Sequence, residues 1–404
     1  MKTSHAKWMI LTAVILMDLL AGMEFDLFVP SFPQLQSHFN LTTFWVEALL
    51  SVNFIGYCLS LFFVGGLADR FGRKPIILIG LITFIIGSVL CLCESAYGFL
   101  LVGRYLQGIG IAAPAILSFL IIADTYPIKE QQFLMAMLNG SMNTAVAVAP
   151  VIGSYIALYF HWQGNFMALL MLGLITLLVT IFFIPSYKLP KHPEALLPHG
   201  YIHIFRSKPL MLLIFMFIFS FLPYWIFVGM SPLLYIKDLG VSLHHFGYYQ
   251  GVLALVFAIG SVLFGLIIKN RHYDQKRMLT IPLLIFMASF LIVAVLSILN
   301  STSPLLITLA IVIFVIGQII PGAILTPIAL NFMPHLKGRV SAIMQGGRLI
   351  FTSITIQIVG FIYTGSFRNV GIPIAIFILI TMVMLFFVII NRQLMSTNNV
   401  TSLE

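Results

Sequence analysis

Apolar residues run in stretches of about twenty along nearly the whole chain, separated by short polar breaks. A helix needs about 20 such residues to cross a bilayer. The pattern predicts twelve spans, at 8–29, 44–66, 75–94, 98–122, 133–159, 165–184, 209–230, 246–268, 279–299, 304–330, 340–364 and 371–391. The longest polar break, 185–208, holds Pro185, Lys188, Pro190, Lys191, Pro193, Pro198, Arg206 and Lys208, with six spans on either side. The start, Lys2, Lys7 and Trp8 before an apolar run, imitates a signal peptide. Three acids in that run, no clear small-residue cleavage site and the spans that follow make it the first span. The expected class is an all-α membrane protein.

Composition agrees. The chain is 60% hydrophobic and 8% charged, where a soluble domain carries about 25% charged residues. Basic residues set the orientation. With the N-terminus in the cytoplasm, every Lys and Arg outside the spans faces inward except Lys237 and Arg368, while Arg104 and Arg348 lie inside spans. Both termini are therefore expected in the cytoplasm. The net charge of +9 is a product of topology and implies no nucleic acid. Cys58, Cys91 and Cys93 fall in spans, and residues two apart on a helix do not face each other, so Cys91 and Cys93 are poor disulfide partners. No Cys or His cluster has metal-ligand spacing. His244 and His245 fall in an outward loop and are expected to be solvated.

Charge inside the spans is the informative departure. Asp18, Glu24 and Asp26 share the first span, although an ionised side chain at bilayer depth costs about 2.5–3.5 kcal/mol. At about 1.5 Å per residue, Asp18 lies near the midplane and Asp26 in the outer third. Arg104, entering the fourth span from outside, lies at the depth of Asp26. The two are expected to pair, as a functional unit or as a structural salt bridge. Glu24 faces either the interface or a neighbouring span. Glu47 opens the second span at the outer surface and is expected to be wet. No clearly intramembrane acid falls in the second half, so any proton coupling belongs to the first.

Arg348 stands near the midplane of the eleventh span. Its partner is an acid across the cavity such as Asp18, an anionic substrate, or Gln345, Gln318 and backbone carbonyls. Asn53, Tyr57, Gln107, Asn139, Asn143, Tyr224, Trp225, Gln250, Gln318, Gln345 and Gln357 are further candidates to line a substrate cavity. No G-x-x-x-x-G-K-[ST] loop for ATP is present, and no nucleophile and base set marks an enzyme.

Between the second and third spans stands Gly65-Gly66-Leu67-Ala68-Asp69-Arg70-Phe71-Gly72-Arg73-Lys74-Pro75. Gly65 and Gly66 suit a close approach of helix ends, Asp69 a base or a helix N-terminus, and Gly72 a tight turn. This ordered pattern resembles the signature of the major facilitator superfamily. Arg104, Gln107, Gly108 and Gly110 match that family's R-x-x-Q-G-x-G. Ala149-Pro150-Val151-Ile152-Gly153-Ser154 resembles its antiporter motif, G-P-x-x-G-G, with Ala149 and Ser154 in place of glycines. His161-Trp162-Gln163-Gly164-Asn165-Phe166 resembles W-R-W-x-F. Asp26-Leu27-Phe28-Val29-Pro30-Ser31-Phe32-Pro33, with Asp18 eight residues earlier, resembles the bacterial drug/proton antiporters that include chloramphenicol and bicyclomycin exporters. Gly265–Arg271 sits where a second copy of the loop signature belongs, without its aspartate.

The resemblance implies two six-helix bundles, residues 1–184 and 209–404, joined by a cytoplasmic linker at 185–208 and ending in a short cytoplasmic tail. It implies a monomeric, multi-pass exporter of small organic solutes or drugs in the bacterial inner membrane, driven by the proton gradient without a cofactor. Asp18, Glu24, Asp26 and Arg104 would couple protons to transport. Gly65, Asp69, Arg70, Gly72, Arg73 and Lys74 would switch conformation. Arg348, at a place usually apolar in those exporters, leaves room for an anionic metabolite such as a carboxylate siderophore.

Overall fold

The computed structural model describes residues 2–93, 95–186, 201–269, 275–333 and 336–395. Of the expected linker, residues 187–200 lie outside this set, as do residues 270 and 271 of the second loop copy. The described residues form helices and no strand. Eleven of the helices are long and apolar enough to cross a membrane.

The elements follow the predicted pattern closely: α1 (Lys2–Asp26), α2 (Phe32–Phe39), α3 (Thr43–Phe71), α4 (Arg73–Cys91), α5 (Tyr97–Thr125), α6 (Ile128–Phe183), α7 (Tyr201–Arg206), α8 (Lys208–Pro232), α9 (Leu243–Lys269), α10 (Gln275–Ile298), α11 (Pro304–Phe332), α12 (Lys337–Ile362), α13 (Phe367–Ile390) and α14 (Arg392–Met395). The predicted fifth and sixth spans both lie within α6. Its helical geometry breaks at His161, with φ 56° and ψ −168°, in the turn expected between them.

Local chemistry explains the ends. Pro30 and Pro33 have no N–H to continue α1, so the chain passes through a 3₁₀ turn, Val29–Ser31, into α2. Asn40 in the left-handed conformation closes α2. The signature stretch, expected as a loop, is helical through Phe71 and breaks at one residue. Gly72 adopts φ 96°, and its N–H bonds the Ala68 carbonyl at 2.9 Å before α4 begins.

The chain forms two compact units, Met1–Leu196 with Val241–Ala254, and Leu197–Gly240 with Leu255–Glu404. In the first, α5 packs against α3 and α4, and α1 against α5 and α6. In the second, α8 packs against α11, α12 and α13, and α10 against α11 and α13. Mid-helix apolar side chains such as Phe63 and Val262 are 62% and 64% exposed. Apolar exposure on this scale suits lipid and not water.

Candidate functional site: a buried charge cluster

Three helices of the first unit bring polar groups together in its interior. Glu24 near the end of α1, Asn53 in α3 and Arg104 in α5 are all fully buried. Arg104 Nη1 donates to Glu24 Oε1 at 2.7 Å. Asn53 Nδ2 donates to the same oxygen at 2.6 Å and to the Arg104 carbonyl at 2.9 Å. Arg104 Nη1 also reaches Gln107 Oε1 at 2.7 Å, and Gln107 Nε2 passes the chain on to Ser88 Oγ at 2.8 Å. The Arg104 guanidinium lies 4.0 Å from the centre of the Phe28 ring. Gly108 explains part of the R-x-x-Q-G-x-G pattern, since a Cβ there would collide with the Asn53 carbonyl. Its absence lets α3 approach α5 until Asn53 and Arg104 share one carboxylate.

This corrects the expected partner of Arg104, which is Glu24 and not Asp26. Depth along a helix does not choose a face. Glu24 and Asp26 are separated by about 200° around α1, so only one of them can point at α5. Asp26 is 2% exposed, its Oδ1 has no hydrogen-bond partner, and no ion pair among the described residues includes it. Asp18 is fully buried and accepts a hydrogen bond from Ser118 Oγ at 2.8 Å, away from the Arg104 cluster. Glu47, expected to be wet, is fully buried, with neither carboxylate oxygen hydrogen-bonded among the described residues. Its side chain turns into the helix bundle although its position in sequence is near the surface.

The signature stretch forms a second charged group. Arg73 Nη1 donates to Asp69 Oδ1 at 2.5 Å, and its Nε donates to Asp124 Oδ2 at 3.1 Å. It thereby ties the end of α3 to the end of α5. Lys74 Nζ bonds the Ile181 carbonyl at 2.7 Å, and Arg70 lies over the Phe71 ring. Gly65 makes no close approach, for an added Cβ would meet nothing within 4 Å.

In the antiporter-like motif, Ala149 is buried, and Ser154 Oγ donates to the Pro150 carbonyl at 2.8 Å. Gly153 lies against Leu27, where a Cβ would strike the Leu27 carbonyl. Asn165 Nδ2 bridges Ser31 Oγ and the Gly153 carbonyl at 2.7 and 3.2 Å. His244 is not merely solvated, since its Nε2 lies 2.6 Å from Tyr155 Oη, which also meets Tyr248 Oη at 2.7 Å.

Among the other cavity candidates, Tyr57 packs edge-on to Phe25, and Asn143 is partly buried on α6. The Asn139 side chain lies outside the described residues. In the second unit, Arg348 lies 4.9 Å from the centre of the Phe221 ring, Tyr224 and Trp225 pack edge to face, and Gln345 is partly buried one turn before Arg348. Ser88 and Ser118 escape sequence inspection. A serine among apolar residues gives no sign that its hydroxyl completes a network two helices away.

A family model described as Major Facilitator Superfamily matches residues 14–356. The chain belongs to the Major Facilitator Superfamily. Its members are transporters and not enzymes. The chain is 26% identical over 232 residues to the multidrug resistance protein MdtL of Klebsiella pneumoniae strain 342, covering 57% of this chain and 59% of that one. It is 32% identical over 170 residues to MdtL of Escherichia coli O9:H4 strain HS, covering 42% and 43% respectively. The matched stretch thus spans about half the length of these relatives. The crystal structure of a D-xylose–proton symporter shares the fold, with a TM-score of 0.73 at 15% identity over 93% of this chain and 97% of that one. A bacterial homologue of the human lysosomal transporter Spinster, inward-facing and occupied, gives a TM-score of 0.73 at 16% identity over 93% and 95%. The superfamily assignment and the long apolar helices place this multi-pass protein in a lipid bilayer. The Glu24–Arg104 cluster therefore lies within the membrane-spanning part of a major facilitator protein.

Proposed function

We propose that this protein is a proton-coupled exporter of small organic solutes or drugs in the bacterial inner membrane, exchanging solute for protons. It would work as a monomer of twelve spans in two six-helix bundles, residues 1–184 and 209–404, with both termini in the cytoplasm. One observation carries the proposal. Glu24 takes the counter-ion role toward Arg104, which leaves Asp18 and Asp26 as buried carboxylates on the same helix with no ion pair among the described residues. Such a group loses its electrostatic cost when it takes up a proton and regains it on release. That difference can bias the rocking of two bundles about a midplane site. Arg73, holding Asp69 and Asp124 together, is suited to latch one conformation. The multidrug resistance named for the MdtL relatives supports drugs as the solute class.

The test is ethidium flux in liposomes containing the purified protein, with and without an imposed pH gradient. Export predicts flux of ethidium against the proton gradient, lost in Asp26→Asn. Flux indifferent to the gradient would remove the proton-coupled reading.

A second reading rests on Arg348, a cation within α12 lying over the Phe221 ring. There it is placed to meet a carboxylate-bearing metabolite of the siderophore kind, for transport in either direction, with a charge-assisted bond. Binding of an anionic siderophore weakened in Arg348→Lys and lost in Arg348→Gln would favour it. Ethidium binding that survives Arg348→Gln, with no anion binding, would exclude it.

A further inference from the structure

Glu47 has no part in the cluster or in the function just proposed. It stands in the first turns of α3, fully buried, with neither carboxylate oxygen receiving a hydrogen bond from the described residues. No ion pair among the described residues includes it. Glu24, by contrast, has two donors, and Asp18 has Ser118.

The groups around this end of α3 are committed elsewhere. On α1, Glu24 is paired with Arg104 and Asp26 is itself an acid. On α2, His38 packs against the rings of Phe39 and Trp162. On α4, the Cys91 thiol faces the Leu100 carbonyl and Gln107. On α5, the Tyr97 hydroxyl donates to the Trp45 carbonyl, and Arg104 donates to Glu24, Gln107 and the Leu49 carbonyl.

An ionised carboxylate sealed in such a place has nothing to offset its lost hydration, and it escapes the cost by carrying a proton. Position adds a direction. Glu47 precedes Asn53 by six residues and so lies about 9 Å along α3 from the Glu24–Arg104 layer, toward the end where α2 joins α3. In the proposed topology that is the outer end. An acid there stands between external water and the buried acids of α1.

We propose that Glu47 is a further proton-carrying residue of the transport cycle, beside the acids of α1, protonated in the conformation described and deprotonated when the outer end of the first unit opens to water. On release the carboxylic O–H bond breaks, its electron pair stays on the carboxylate, and the proton passes to water. Uptake reverses the step. The inference rests on the proton-coupled function above.

Infrared spectroscopy of the full-length protein in liposomes reads the protonation state directly. Wild type at neutral pH is expected to show a carboxylic-acid C=O band that is missing from Glu47→Gln and shifted, but present, in Glu47→Asp. Glu47→Gln should still bind ethidium while losing the pH dependence of its flux, and Glu47→Asp should restore that dependence. A difference spectrum holding only carboxylate bands would overturn the proposal. So would a Glu47→Gln variant with the wild-type pH profile, since Glu47 would then be a static buried acid. If wild-type liposomes ignore the pH gradient, the proton-coupled function falls and this role falls with it. If they respond and Glu47→Gln responds equally, this role alone falls.

Discussion

The interior of the first unit and that of the second handle membrane-embedded charge in different ways. The first places acids, amides and an arginine in one hydrogen-bonded network, in which Glu24 satisfies Arg104 and Asn53 at once. The second has no Asp or Glu in any of its α-helices. Its Arg348 lies over the ring of Phe221, and Phe215, Phe219 and Phe351 on α8 and α12 form a separate set of ring contacts. The ionised carboxylate answers a cation at short range, whereas a ring face answers it weakly. The first unit thus gathers opposite charges in one network, while the second sets its arginine against an aromatic ring.

The sharpest way to break this comparison is to break the ion pair. Arg104→Gln and Glu24→Gln each strand a buried charge, and each should cost about 3–5 kcal/mol. Thermal unfolding in detergent would show the loss, and the double variant should recover much of it, because the two groups are directly coupled. Additive losses would mean that the pair is not a unit.

A backbone change tests how the network is assembled. Gly108→Ala forces α5 away from the Asn53 carbonyl, and overpacking of this kind costs about 1–3 kcal/mol. Its signature should be a loss of stability that is not additive with Asn53→Ala, since separating α5 from α3 also breaks the hydrogen bonds that the Asn53 side chain makes to Glu24 and the Arg104 carbonyl. A Gly108→Ala protein as stable as wild type would show that the close approach is not needed.

The signature stretch should respond more weakly. Arg73→Gln removes two partly exposed ion pairs, worth about 0.2–1 kcal/mol each. Asp69→Asn should leave ethidium affinity nearly unchanged and slow turnover, which separates a switch from a binding residue. Equal loss of affinity and rate would move Asp69 into the binding site.

Asp26→Asn should be the quietest substitution thermodynamically and the loudest kinetically. It removes a buried carboxylate that has no ion pair, so the unfolding midpoint should stay or rise while proton-driven flux disappears. A fall comparable to that of Glu24→Gln would mean that Asp26 also serves Arg104.

Much of this was legible in the sequence. The spans from Arg73 to Cys91 and from Pro304 to Phe332 begin and end within a few residues of the apolar runs, because a bilayer fixes how long such a run must be. The motifs around Asp69 and Arg104 pointed to the family. Which way each charge faces was not legible. Apolar residues surround α1 on every side, so no amphipathic period marks the face that carries Glu24 as the one turned to α5. Glu47 was misjudged for the same reason, since nearness to a helix end says nothing about the direction of its side chain. Sequence alone determined that the chain crosses a membrane and which family it belongs to, because hydrophobic length and an ordered motif are one-dimensional quantities. Only the tertiary structure decided that Arg104 meets Glu24, that Asp26 has no counter-ion among the described residues and that Glu47 is buried, because those outcomes depend on rotation about helix axes, which packing between helices sets.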